Sequence, residues 1–296
     1  MIKRRKRLKN QIQMNPSHFE RSQLTFYLIL LPIVTFMILP IVYIISTAFK
    51  PMDELFLFPP PFIVRNPTLE NFRTLFEPNP NEIPMIRYLF NSIFVTVVVL
   101  GLSILISSLA AYAMSKMDFK GKKFWFEVNT LALMFVAATV AIPRYLIIVR
   151  LGIMDTMLAH ILPIMAIPVG LFLLKQFIDQ VPDSLIEAAR LEGASELMVY
   201  RKIVMPIIKP ALATMAILAF QVIWNNTESS QFFTTRENIR TLAFYLTTLS
   251  TGDIGTSTAG QGVTAAASLL MFIPNIIIFI FMQSKIMSTV AHSGIK

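Results

Sequence analysis

Six long stretches of this chain carry almost no charge, and they limit its fold more than any other feature. They run from Leu24 to Phe49, Tyr88 to Ser115, Phe124 to Pro143, Thr156 to Leu174, Pro210 to Thr227 and Gly262 to Ser284. Each is near or above the ~20 residues that a helix needs to cross a bilayer. The third is the weakest, because Glu127 sits near its start. Prolines fall inside several of them, at Pro32, Pro40, Pro163, Pro168 and Pro274. Membrane helices accept such prolines because neighbouring groups take up the freed carbonyls. Only 15% of the residues are charged, against about 25% in soluble domains. The expected fold is therefore all-α, a polytopic membrane protein with six transmembrane helices. The first stretch does not read as a cleavable leader. Its apolar run is too long, and a proline-rich exit, "FKPMDELFLFPPPF", follows in place of a small-residue cleavage site.

An even number of spans puts both termini on one side. The start, "MIKRRKRLKN", says which side. The terminal face takes 18 of the 26 basic residues and 8 of the 17 acidic ones, a balance of +10; the other 8 and 9 leave −1 opposite. Excess lysine and arginine mark the cytoplasmic face, so both termini are expected on the cytoplasmic side of the membrane. Anionic membrane lipid accounts for this charge, and nucleic acid is not needed. The domain reading is a basic segment over 1–23, a transmembrane unit over 24–284 and a cytoplasmic tail over 285–296.

Several chemistries are excluded. There is no cysteine, and His18, His160 and His292 are far apart, so no zinc spacing exists and no metal site is expected. No G-x-x-x-x-G-K-[ST] occurs, so this chain supplies no P-loop of its own. The spans hold almost no ionisable groups. Arg144, Arg150 and Asp155 lie at an outer edge, with His160 one turn in. A proton- or sodium-coupled carrier usually keeps a carboxylate at membrane depth, although sodium sites built from carbonyls would escape this test. A membrane enzyme would need a catalytic cluster, and none is visible.

The most polar stretch of the second half, "EAARLEGASELMVYRKIVMP" (Glu187–Pro206), lies between the fourth and fifth spans. Ser184 followed by Glu187 has capping-box spacing, which predicts a helix over about 185–192. Gly193 suits the left-handed residue that ends it. Ser195 caps a second helix, which Pro206 ends or hands on to the next span. Ala188 and Ala189 leave one face with little bulk. On local chemistry alone, this hairpin is a membrane-surface linker or a docking element.

The spacing resembles a known signature. Glu187-Ala188-Ala189, three residues, Gly193, nine residues, Ile203, one residue and Met205-Pro206 match the EAA motif of ABC importer permeases, with Met205 in place of leucine. "NPTLENF", "RYLFNSI", "AAYAMSKMDFKGKK", "LGIMDT", "FIDQVPDSLIEAA" and "PALATMAILAF" are similar to the second permease subunit of maltose-type carbohydrate importers. Glu192 replaces a common aspartate, "WNNTESSQFF" keeps only the Trp-Asn of its counterpart, and the tail ends in "HSGIK".

The resemblance implies the type I importer permease fold and a binding-protein-dependent importer of sugars or oligosaccharides. The chain itself would be non-catalytic and bind no cofactor. Partners would be a homologous permease, two cytoplasmic ATPases holding ATP and magnesium, and an extracellular binding protein. Glu187, Ala188, Ala189, Gly193, Ile203 and Pro206 would couple ATPase closure to the spans. A non-carbohydrate solute in the same importer class is the alternative, with an ion-coupled carrier behind it. Candidates for the solute path are Arg144, Tyr145, Arg150, Gln221, Trp224 and Asn225, with Asn91, Asn129 and Asn275 as further polar groups within or near spans. Two arginines at one outer edge would suit an acidic oligosaccharide, or serve as snorkelling interfacial residues.

Overall fold

A computed structural model describes residues 21–77, 83–252, 257–258 and 260–293. The basic start and the last three residues lie outside the described residues. Every regular element among those described is helical. Helix α1 (Arg21–Ala48) and helix α2 (Met85–Lys116) form the first two predicted spans, each a few residues longer than its apolar run. Pro32 and Pro40 both lie inside α1 without ending it.

The third predicted span is not one helix. Helix α3 (Lys122–Ala132) stops, and a 3₁₀ turn (Ala137–Val140) leads into helix α4 (Ala141–Arg150). The two halves bend by 111°. Pro143 supplies the physical reason. Proline lacks the amide and clashes with the carbonyl four residues back, so it sits most easily in a first turn. Helix α4 starts two residues before Pro143 and places it there.

The fourth span is bent by 43° between Leu158–Ile164 and helix α5 (Pro168–Asp179), where Pro168 opens the second half. The Ser103 hydroxyl of α2 donates to the Met165 carbonyl at this break, at 2.7 Å. Here a neighbouring helix satisfies the backbone that proline disrupts. Next come helix α6 (Asp183–Leu191), a short second helix, helix α7 (Lys209–Trp224) and helix α8 (Gly260–Ser293). Helix α8 continues through most of the segment read as a separate tail.

Three helices are each long and apolar enough to cross a membrane, and the bent pairs bring the number to as many as six. The core forms where α2, α5 and α7 meet. Val99, Leu174, Ile178, Ala211, Met215 and Ala219 are buried there. Close approach needs small residues. A Cβ on Gly170 of α5 would lie 2.7 Å from Cε of Met215, so glycine lets α5 and α7 touch. A second core at the far end joins Ala48, Tyr88, Phe220, Trp224, Ala266 and Met271. The "NPTLENF" segment closes that end. Asn71 donates to the carbonyls of Ala48 and Lys50 at 3.0 and 2.7 Å, so it satisfies the end of α1. Gly262 leaves room for that asparagine.

Candidate functional site: the polar hairpin and the opposite end

Helix α6 begins differently from its capping-box reading. Pro182 is the N-cap and Asp183 is already helical, with no side-chain cap; Ser184 and Glu187 lie within the helix and are exposed. The reason is tertiary. Nζ of Lys116, at the end of α2, donates to Asp183 at 2.7 Å and to the Val181 carbonyl at 2.7 Å, and fixes the start of the helix from outside. This contact holds the Asp183 carboxyl below the usual carboxylate range, chiefly through the hydrogen bond and then through the lysine charge.

The end of α6 follows local chemistry. Gly193 has φ +83°, the left-handed conformation that favours glycine. The Gly193 amide donates to the Arg190 carbonyl and the Ala194 amide to the Ala189 carbonyl, both at 3.0 Å. These two bonds form a Schellman turn. Ser195 then accepts from the Met198 amide and caps the second helix.

That helix widens into a π turn over Tyr200–Val204, where the Met205 amide reaches the Tyr200 carbonyl. A wide turn carries the Lys202 carbonyl clear of the Pro206 ring. The chain therefore passes Pro206 as helix and breaks two residues later, at Ile208, bending by 82° into α7. Pro210 suits that break, since it sits in the first turn of the helix that follows.

A second set of contacts, not legible in the sequence, locks the hairpin to α2. The Tyr112 hydroxyl donates to one oxygen of Glu196 at 2.6 Å, and Arg190 donates to the other at 2.7 Å. Tyr200 shares a hydrogen bond with Ser108 at 2.8 Å and its ring packs against Tyr112. Ile186, Val199, Val204 and Ile208 are buried against the core. Ile203 is half-buried on the same side, while Pro206 is exposed. The two alanines separate: Ala188 faces outward and Ala189 packs inward. Leu185, Leu191, Leu197 and Met198 are exposed beside Glu187 and Ala188, with Leu191 at 90%. Together these side chains form an exposed apolar cluster on the outer face of the hairpin.

At the opposite end, the residues proposed for a solute path have mixed placements. Arg144 forms an ion pair with Glu228 at 2.6 Å, and both side chains are mostly covered. Arg150 is exposed at the end of α4, and Tyr145 and Gln221 are exposed as well. Asn225 is exposed but donates to the Gln221 carbonyl. Trp224 is buried, stacks on Phe220 and donates to the Met271 carbonyl at 3.0 Å, so its role is packing. Asn91 is buried and bonds the carbonyls of Asn238 and Arg240, while half-buried Asn129 and Asn275 bond those of Pro168 and Met271. Asp155 accepts from the amides of Thr235 and Arg236 and from the Thr235 hydroxyl, and its carboxyl is pushed down to about 2. The sequence offered no signal for Glu228 as the partner of Arg144.

Residues 24–284 match the family model described as the binding-protein-dependent transport system inner membrane component. This chain belongs to that family. Its relatives include the arabinooligosaccharides transport system permease protein AraQ of Halalkalibacterium halodurans, 30% identical over 88% of this chain and 91% of that one. The diacetylchitobiose uptake system permease protein DasC of Streptomyces coelicolor is 26% identical over 88% and 92%. A bacterial ABC transporter involved in the import of the acidic polysaccharide alginate shares the fold. Its TM-score is 0.77 at 21% identity, covering 90% of this chain and 98% of that one. The chain is thus a multi-pass membrane component of a family of importer permease subunits, and the hairpin carries the family's EAA spacing.

Proposed function

We propose that this chain is one of two membrane subunits of an ATP-driven importer that takes sugars or oligosaccharides from an external binding protein. The carrying observation is the hairpin: a Schellman turn at Gly193 presents Glu187, Ala188, Leu191 and Leu197 outward, while Asp183, Glu196 and Tyr200 tie it to α2. Such an element moves as a unit with whatever docks on it. The docking partner in this reading is a cytoplasmic ATPase that binds ATP and magnesium. When two ATPases close, the hairpin carries α2 and α7 with it, and the path opens to the opposite face. The carbohydrate class is supported by relatives named for arabinooligosaccharides and diacetylchitobiose. An acidic oligosaccharide is the narrower reading. Arg150 is the cation that supports it, since Glu228 already matches the charge of Arg144.

The test is ATP hydrolysis by the reconstituted importer with its binding protein, screened over neutral, N-acetylated and uronate oligosaccharides. Stimulation by one sugar class is expected. Stimulation by amino acids or peptides and by no sugar would overturn the carbohydrate reading. Orientation is checked separately in the cysteine-free chain. On intact cells, a membrane-impermeant thiol reagent is expected to label Leu69→Cys and to spare Ser184→Cys; the reverse would invert the topology.

A further inference from the structure

At the hairpin end, a pocket of about 500 Å³ opens where α2, α3 and α5 converge. Its charged lining is basic throughout: Lys122, Lys123 and Lys175. Met114, Phe119 and Phe126 form its apolar walls. Gly121 caps α3 here with φ +89°, so the positive end of an 11-residue helix faces the same space. Nζ of Lys175 lies 4.6 Å from the centre of the Phe126 ring, which is stacked on Phe172 of α5.

Each lysine has an acidic neighbour, but two of these pairings are loose. Lys122–Asp118 and Lys123–Glu127 are 3.8 Å apart, and both acids are exposed to solvent. Exposed pairs of this kind are worth little and exchange readily. Lys175–Asp179 is closer, at 2.7 Å. Lys122 also donates to the Ser115 and Met117 carbonyls, so its ammonium is already anchored at the rim. Exposed Phe124 and Trp125 flank the pocket on the first turn of α3, a placement suited to the bilayer interface.

We infer that this pocket is a binding site for the phosphate of an anionic phospholipid in the leaflet on the hairpin side, with an acyl chain passing along Met114, Phe119 and Phe126. A soluble phosphate would have no use for those apolar walls, whereas a zwitterionic lipid would gain little from a charged lining that is entirely lysine. The bound lipid would bridge the ends of α2, α3 and α5 beside the Lys116–Asp183 contact. The inference does not depend on which solute is carried.

The test uses the full-length chain, purified in detergent with the subunits that accompany it and titrated with phosphatidylglycerol or phosphatidylcholine in native mass spectrometry. Lys123→Gln with Lys175→Gln is the variant, and Lys122 is kept because it anchors the loop. A surface lysine contributes about fivefold to the affinity for an anionic lipid. The variant should therefore weaken phosphatidylglycerol binding by more than tenfold and leave phosphatidylcholine binding unchanged. Lys123→Arg with Lys175→Arg should restore it. The same spectra show whether the assembly is intact, so misfolding is seen directly. Phosphatidylglycerol affinity within twofold of the unsubstituted protein would overturn the site. Displacement of the lipid by millimolar glycerol phosphate would reassign it to a soluble phosphate and overturn the lipid proposal.

Discussion

Gly193 offers a test of the hairpin in which only one physical effect changes. Its φ is +83°, and a Cβ built there would meet nothing within 4 Å. A Cβ therefore adds no steric overlap there, and the main cost of a substitution is backbone strain. That cost is small for asparagine, larger for alanine and largest for a β-branched residue. For Gly193→Val it is about 1–3 kcal/mol. The Schellman bonds to Arg190 and Ala189 are the contacts most exposed to that strain. Relaxing it turns α6 relative to the second helix and lowers the population of the docking geometry by about 5- to 150-fold. The spans do not depend on this turn and should insert normally. The assay compares Asn, Ala and Val at position 193 for membrane insertion, ATPase association and binding-protein-stimulated hydrolysis. Stimulation is expected to fall in that order at constant insertion. A Val variant with normal association and normal stimulation would refute the coupling role and leave the hairpin a surface linker.

Tyr112→Phe and Glu196→Gln should each loosen the hairpin from α2, by about 1.5–3 kcal/mol where a charge-assisted bond is lost. Hydrogen exchange over residues 183–199 is expected to speed up, with less than the sum of the two effects when both changes are combined, since Glu196 also pairs with Arg190; full additivity would mean that they do not share one contact. The Lys116–Asp183 contact has a defined pH sign. The Asp183 carboxyl titrates lower in the folded protein than in the unfolded chain, so its stabilising effect is complete above the usual carboxylate range and disappears as pH falls through the depressed value. Protection at the start of α6, relative to intrinsic exchange at each pH, should therefore fall on acidification in the unsubstituted protein and lose that dependence in Asp183→Asn. Arg144→Gln leaves Glu228 without its cation and should impair uptake of every sugar alike, with partial recovery in Arg144→Gln/Glu228→Gln. Selective loss of acidic sugars in the single variant would instead place Arg144 on the substrate.

What the sequence determined by itself is what depends on neighbours along the chain. Apolar runs near bilayer length fix which segments become spans, because unpaired backbone in lipid is too costly for anything but helix. Gly193 and Ser195 fix the hairpin turn, because left-handed backbone and an orphan amide are both resolved within four residues. The sequence did not show which prolines break a span: Pro32 and Pro40 stay inside α1, while the third and fourth spans bend by 111° and 43° beside Pro143 and Pro168. The tertiary structure decided the rest. Lys116 displaces the expected capping box at Asp183, and Tyr112 and Glu196 meet across 84 residues. Arg144 and Glu228 also meet across 84 residues, which turns a candidate substrate contact into an internal ion pair. No local pattern encodes these pairings. They arise because tertiary packing brings polar groups from distant parts of the chain within hydrogen-bond reach.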